Sequence, residues 1–279
     1  MKARDFLKQS FTTEAKTNYG FTNEKVIEQI VNTWMNDICS SQQRFKDINF
    51  FLPDAKKILD LASGCGTSVF YGLLNGYDVY GIDPEEWKHT VIAMKIKEYK
   101  YPPEYLSKFY KGVGEYLPFP DNSFDCVSTY QTLEHVQNPK QVISEMLRVT
   151  KALGGIHIQC PDYLGTFEGH YRIPWLPLFP KRIAKIYLQM IGRPTKGLDT
   201  IQYVTKTKIK KFIHCIEKKN PKLKLKIIDC EKTRLLGFLK KHSIPKFIGA
   251  YFLYKIIRYI VNLFREDIHV NLFILVLEK

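Results

Sequence analysis

The segment Asp60-Leu-Ala62-Ser63-Gly64-Cys-Gly66-Thr67 joins an aliphatic run, Lys57 to Ala62, to a stretch compatible with a helix. A backbone can turn tightly around a ligand at such a junction, because glycine lacks the Cβ that blocks close approach and accepts positive φ. Asp83 ends the next apolar run 23 positions after Asp60, near the separation at which a carboxylate meets ribose hydroxyls in nucleotide-binding α/β units. Each feature has a second reading. The glycines also suit a tight turn with no ligand, and Asp83 also suits the start of the helix beyond Pro84. The spacing fits NAD as well. A second group, His135, Asp162, Glu168 and His170, consists of side chains that can take up a proton.

The elements that must hold these residues follow from apolar periodicity and from Gly and Pro punctuation. A helix is expected from Asn23 to about Phe45, with Val26, Ile27, Ile30, Val31, Trp34 and Ile38 on one face. Strands at 57–62 and 78–83 alternate with helices ending near Asn75 and Tyr99, a βαβα run that implies parallel pairing. Further strands are expected at 107–112, 124–130 and 155–160. Between the last two, Asn138 caps a helix with Pro139 in its first position, and Gly154-Gly155 is expected to end it. Ligands bind at the carboxyl edge of such a sheet, where both groups of residues fall. From Pro161 onward prolines alternate with Tyr163, Phe167, Tyr171, Trp175 and Phe179, which reads as a cap. A helix at 205–219, a strand at 223–230, a basic helical insertion at 231–266 and a closing strand at 269–278 complete the chain.

The blocks that separate the nucleotide readings lie further on: Gly114-Glu115-Tyr-Leu-Pro-Phe-Pro-Asp121-Asn-Ser-Phe-Asp125, then Leu133-Glu134-His135-Val136, then Lys151-Ala-Leu-Gly154-Gly155. In this order the sequence resembles the class I S-adenosylmethionine-dependent methyltransferases, in their broad small-molecule, type 11-like branch. The matches run from Lys57 to Cys160. A dehydrogenase has no reason to carry the later blocks and usually has a third glycine where this chain has Val69. The resemblance implies a Rossmann-like α/β fold, with a seven-stranded, mostly parallel sheet, helices on both faces, cap insertions and an antiparallel last strand. It implies S-adenosyl-L-methionine as cofactor. Asp60, Ala62, Ser63, Gly64 and Gly66 would surround its methionine portion, Asp83 its ribose, and Val113, Gly114 and Glu115 its adenine, with Tyr130 and Gln131 facing the methionine end and the acceptor. Ala62 stands where the family often has its first loop glycine, and Lys151-Ala-Leu-Gly where it has Lys-Pro-Gly. Val113 replaces an adenine-contacting Asp, which leaves adenine to backbone groups near Gly114 and Glu115.

Methyl transfer from a sulfonium is an in-line displacement with an activated leaving group, so alignment and exclusion of water matter most and a base is optional. For a hydroxyl or amine acceptor, His135, Asp162, Glu168 and His170 are the candidate bases. His135 also suits a packing role at a helix start, and Glu168-Gly-His170 a hydrogen-bonded loop anchor.

Charge bears on partners. Residues 1–180 hold 19 Lys+Arg against 21 Asp+Glu, and residues 181–279 hold 23 against 7. A basic portion concentrates anions such as phospholipid head groups, diphosphates or nucleic acid. Lys181–Gln189 and Ile244–Arg265 are basic and amphipathic. Two readings stand for the second stretch, a helix at an anionic membrane surface or a cap helix with solvated lysines. The acceptor expected is a small molecule, with a sugar, lipid-linked glycan or other lipid intermediate favoured. The alternatives are a binding or scaffold protein that has lost the reaction, and an RNA methyltransferase, which no RNA-binding module supports. The six cysteines form no Cys-x-x-Cys pair and no zinc-ligand spacing, so no metal is expected and a reducing compartment fits. The start, MKARDFLKQSF, lacks the apolar core of a signal peptide or anchor, which points to the cytoplasm, with peripheral contact at the membrane's cytoplasmic face. The organisation expected is one domain: an N-terminal helical cap (1–50), a cofactor-binding core (51–160), a substrate cap (161–205) and a basic C-terminal part (206–279).

Overall fold

The computed structural model describes residues 1–36, 38–241 and 269–279. Three helices precede the first strand: α1 (Ala3–Tyr19), α2 (Glu24–Asn36) and α3 (Ile38–Phe51). The helical stretch expected from Asn23 to about Phe45 corresponds to α2 and α3, on either side of residue 37, which lies outside the described residues. The second runs on to Phe51 and stops before Leu52-Pro53, where the proline ring disfavours helical backbone in the preceding residue. α1 lies within the N-terminal helical cap expected over 1–50, but its buried positions Ala3, Leu7 and Ala15 are too sparse to form a stripe that would mark its bounds.

The core then alternates β1 (Lys57–Leu61), α4 (Thr67–Leu74), β2 (Asp78–Asp83), α5 (Glu86–Glu98), a 3-10 turn (Pro103–Lys108), β3 (Phe109–Lys111), β4 (Phe124–Tyr130), α6 (Pro139–Val149) and β5 (Thr150–Pro161). A cap follows, made of a short hairpin, β6 (Phe167–Glu168) and β7 (Ile173–Pro174), with α7 (Lys181–Met190) and α8 (Lys196–Thr200). The chain returns through α9 (Lys206–Lys219), β8 (Lys224–Asp229), α10 (Cys230–Lys241) and β9 (His269–Glu278).

The sheet has seven strands in the order β3-β2-β1-β4-β5-β9-β8, parallel except for β9, which runs antiparallel to both neighbours. From β1 the chain winds one way to β2 and β3, then crosses to β4 and β5 on the other side. The crevice at the carboxyl ends of β1 and β4 is thus the switch point where ligands of open α/β sheets bind. Val142, Ile143, Met146 and Leu147 of α6 join Ile209, Ile213 and Ile216 of α9 against one face. Phe45, Ile48 and Val69 cover the other. The cap has its own apolar cluster around Tyr171, Trp175 and Leu188.

α6 ends at Val149, not at Gly154-Gly155. Thr150 donates its hydroxyl to the Met146 carbonyl at 2.7 Å and already pairs with Phe124 on β4, so sheet pairing takes over before the glycines. Gly155 instead allows close strand approach, since a Cβ there would lie 2.6 Å from the Phe273 ring. α10 forms the start of the expected 231–266 insertion, while Ile244–Arg265 lies outside the described residues. No helix among the described residues is long and apolar enough to cross a membrane.

Candidate active site

β1 delivers the glycine loop to the crevice, and the loop turns through three left-handed residues, Ala62 (φ 59°), Gly64 (φ 55°) and Gly66 (φ 75°). Alanine pays about 1–2 kcal/mol for that conformation, where glycine fits freely. Asp83, at the end of β2, is 1% exposed and closes onto the loop. Its Oδ2 accepts the Gly64 N–H at 3.0 Å, and its Oδ1 accepts the Glu85 N–H at 3.0 Å at the start of α5. The helix-start role and the loop-facing role therefore coexist. Lys88 Nζ approaches the same Oδ2 at 3.4 Å and pairs with Glu85 at 2.6 Å, above the rings of Trp34 and Trp87.

Two observations fit this loop to a polar ligand. The Ser63 hydroxyl is buried with no hydrogen-bond partner among the described residues. The side of Gly64 where a Cβ would sit meets nothing within 4 Å. S-adenosylmethionine, rich in hydroxyl and amine groups, suits such a cradle.

Asp60 lies deeper. Arg44 of α3 donates to its Oδ1 at 2.8 Å and the Ser128 hydroxyl at 3.2 Å. Burial pushes the Asp60 carboxyl up, and Arg44 with Ser128 only partly draws it back. The Arg44 guanidinium also lies 4.6 Å from the centre of the Tyr130 ring. Gln131 takes a left-handed φ of 53° and donates its N–H to the Gln159 carbonyl at 2.8 Å. Beyond β3, Val113 is 44% exposed, whereas a Cβ on Gly114 would crowd Leu61 and Val142 at 3.2 Å. The Glu115 carboxylate turns to the Gln137 and Asn138 N–H groups at 2.9 and 3.2 Å, bracing the approach to α6. Asp121 and Asp125, within the same block, are engaged by Arg148 and Lys151 at 2.7 Å.

The second group converges only in part. His170, between the cap strands, places Nε2 2.9 Å from His135 Nε2 and Nδ1 2.8 Å from Glu168 Oε1. Burial pushes the Glu168 carboxyl up, but His170, the Tyr171 N–H and the Tyr163 hydroxyl outweigh it and hold it below the usual range. Glu168 is thus an ionised acceptor, so His170 Nδ1 carries the proton between them. His135 keeps 36% of its side chain open, with the rest against the protein. Burial, then His170 and Lys88, push its imidazole down to about 3. Asp162 stands apart, accepting the Leu164 and Lys206 N–H groups at 3.2 and 3.4 Å, as a loop anchor does.

The ligand atoms of Glu134, His135 and His170 also fall within 4.8 Å of one another, a spacing that a cation could bridge and that the sequence separation conceals. The 2.9 Å between the two Nε2 atoms is a hydrogen-bond length, whereas two nitrogens on one tetrahedral zinc stand about 3.3 Å apart.

Several site residues carry no signal in the sequence. Lys95 of α5 is 1% exposed and holds the loop from below, with Nζ 3.0 Å from the Cys65 carbonyl and 3.2 Å from the Thr67 hydroxyl. Burial lowers it to about 8. Tyr19 of α1 stacks on His170 with ring centres 5.5 Å apart. A lysine on a helix and a tyrosine in a polar segment both read as surface. Arg44 is one of several charges in the Asn23–Phe45 stretch, beside Glu24, Lys25, Glu28 and Asp37, and nothing in the pattern sets it apart.

The strand order, the glycine loop and the acid at the end of β2 are those of the Rossmann-like methyltransferase fold. Residues 59–158 match the family model described as "Methyltransferase domain". The chain is 36% identical over 99 residues to a demethylmenaquinone methyltransferase of Renibacterium salmoninarum, covering 36% of this chain and 38% of that one. It is 31% identical over 147 residues to an uncharacterized methyltransferase of Mycobacterium tuberculosis, covering 52% and 55%. The chain thus spans about half or less of the length of these relatives. A solved phosphoethanolamine N-methyltransferase 2 of Haemonchus contortus, in complex with phosphomonomethylethanolamine and S-adenosylhomocysteine, shares the fold, with a TM-score of 0.55 at 15% identity, covering 100% of this chain and 61% of that one.

Proposed function

We propose that this protein is an S-adenosylmethionine-dependent methyltransferase acting on a small-molecule acceptor, a sugar, lipid-linked glycan or other lipid intermediate. The observation that carries the reading is the closure of the Asp83 carboxylate onto the Gly64 N–H at the switch point of the sheet. When bound, the cofactor supplies a methyl group on a positively charged sulfur. Asp60, Ala62, Ser63, Gly64 and Gly66 hold its methionine end and Asp83 its ribose, with Lys88 giving way at Oδ2. Backbone groups of Val113 and Gly114 meet the adenine, while the Glu115 side chain is spent on the start of α6.

The acceptor lies between Tyr130, Gln131 and the cap. An acceptor hydroxyl or amine would take the methyl group as the carbon–sulfur bond breaks and the thioether leaves, and its own proton would pass to His135 Nδ1. A lone imidazole lowered to about 3 is too weak a base to keep that proton at neutral pH. His135 therefore hands its Nε2 proton to His170, whose positive charge is met by the ionised Glu168. Among these acceptors a lipid intermediate is supported by relatives named for demethylmenaquinone. Peripheral contact with the cytoplasmic face of an anionic membrane belongs to the same reading.

The second reading, a binding protein that has lost the reaction, is favoured by Lys88 standing on the carboxylate that the ribose needs. Calorimetry with S-adenosylmethionine separates the two: saturable binding is expected, and none at high cofactor concentration leaves the binding protein. Extracts incubated with the protein and isotopically labelled methyl donor then identify the acceptor by mass spectrometry, with and without a chelator. Turnover abolished by the chelator would replace the proton relay with a metal centre at Glu134, His135 and His170.

A further inference from the structure

The cap carries an apolar face that methyl transfer does not use. On α7, Ala184 and Leu188 are fully buried, while Ile183, Ile186 and Met190, at positions i, i+3 and i+7, stand 55, 57 and 81% exposed. The segment leading into the helix adds Leu176 and Leu178, at 61 and 46%. Single exposed aliphatic residues are ordinary, but a stripe along one helix marks a surface that something covers.

Charge identifies the occupant. Between Glu168 and Asp199 the chain has six basic residues and no acidic one. Arg182 on α7 is exposed beside the stripe, and Lys181 and Lys185 lie on the same helix, Lys185 paired with Asp199 at 2.6 Å. Two copies meeting through this face would bring like charges together, which opposes a dimer. An anionic bilayer offers the complement, apolar chains beneath a layer of phosphate. The helix has ten residues, enough to lie in the interface and too few to cross it.

We infer that α7 docks the protein on an anionic lipid surface, with Ile183, Ile186 and Met190 entering the acyl boundary and its basic residues among the phosphates. This deepens the lipid-acceptor reading, since the same cap carries Glu168 and His170, yet its test needs no turnover.

The full chain is sedimented with vesicles of phosphatidylcholine alone and of phosphatidylcholine mixed with phosphatidylglycerol. Binding to the anionic vesicles should be tighter by roughly 25-fold, Lys181 and Arg182 contributing about fivefold each while Lys185 is held by Asp199, and should weaken with salt. The Ile183→Ser/Ile186→Ser/Met190→Ser protein should lose at least about tenfold of that binding, with an unchanged circular dichroism spectrum and unchanged cofactor binding by calorimetry. Equal binding to both vesicle types, or a triple variant that binds as the parent does, overturns the inference. So does a dimer in analytical ultracentrifugation that the triple substitution dissociates, because a second copy then covers the face. Vesicle binding without cofactor binding removes the methyl-transfer reading alone.

Discussion

His135 and His170 meet Nε2 to Nε2 at 2.9 Å although 35 positions separate them. One comes from the turn after β4 and the other from the cap hairpin, so the contact ties the cap to the carboxyl edge of the sheet. With Glu168 ionised beyond His170, the three groups form one hydrogen-bonded line, the proton relay proposed above.

Replacing His170 by Ala, or Glu168 by Gln, should lower kcat by roughly 10²–10⁴-fold if the acceptor must lose a proton in the rate-determining step. The cofactor Kd, read by calorimetry, should not change. A parallel fall in cofactor affinity would place these residues in binding instead.

Stability should fall as the pH drops from about 6.5 toward 4. Burial lowers His157 to about 4, against the bond that its Nε2–H donates to Asn271 Oδ1, and His135 to about 3. The unfolded chain takes up protons below about 6.5 that the folded chain refuses, and stability rises with pH wherever the unfolded state binds more. Urea unfolding across this window should show a flatter pH slope for His157→Gln. An unaltered slope would show that His157 titrates alike in both states.

Asp83→Asn keeps the shape of the side chain but removes its charge. Cofactor binding should weaken by about 1.5–3 kcal/mol, the range for a hydrogen bond to a charged group. Isothermal calorimetry measures it directly, with thermal unfolding as the control for the Gly64 and Glu85 contacts. Unchanged affinity would take Asp83 out of the ribose site.

Ala62→Gly should stabilise the fold by roughly 0.5–1 kcal/mol, because relief of the left-handed strain exceeds the added freedom of the unfolded chain. Chemical denaturation would register this as a higher midpoint with an unchanged slope. A lower midpoint would mean that the alanine methyl contributes packing worth more than the strain.

The order of strands, the glycine turn, the acid closing β2 and the Asn138 cap of α6 were legible because each depends on a local property: apolar period, tolerance of positive φ, or a side chain reaching its own helix start. Elements whose register depends on a distant partner were less so. The end of α6 is set by pairing with β4, and α1 buries too few apolar residues to stand out by itself.

Within the site the same division holds. The place of the Asp60 to Gly66 turn and of Asp83 at the carboxyl edge of the sheet was legible, since the strands that precede them fix it. Only the tertiary structure decided that Arg44 neutralises Asp60, that Lys88 stands on Asp83, that Lys95 is buried beneath the loop, and that His135, His170 and Glu168 form one line. Those relations are distances between segments remote along the chain, set by how helices and cap pack on the sheet, and local residue pattern does not encode them.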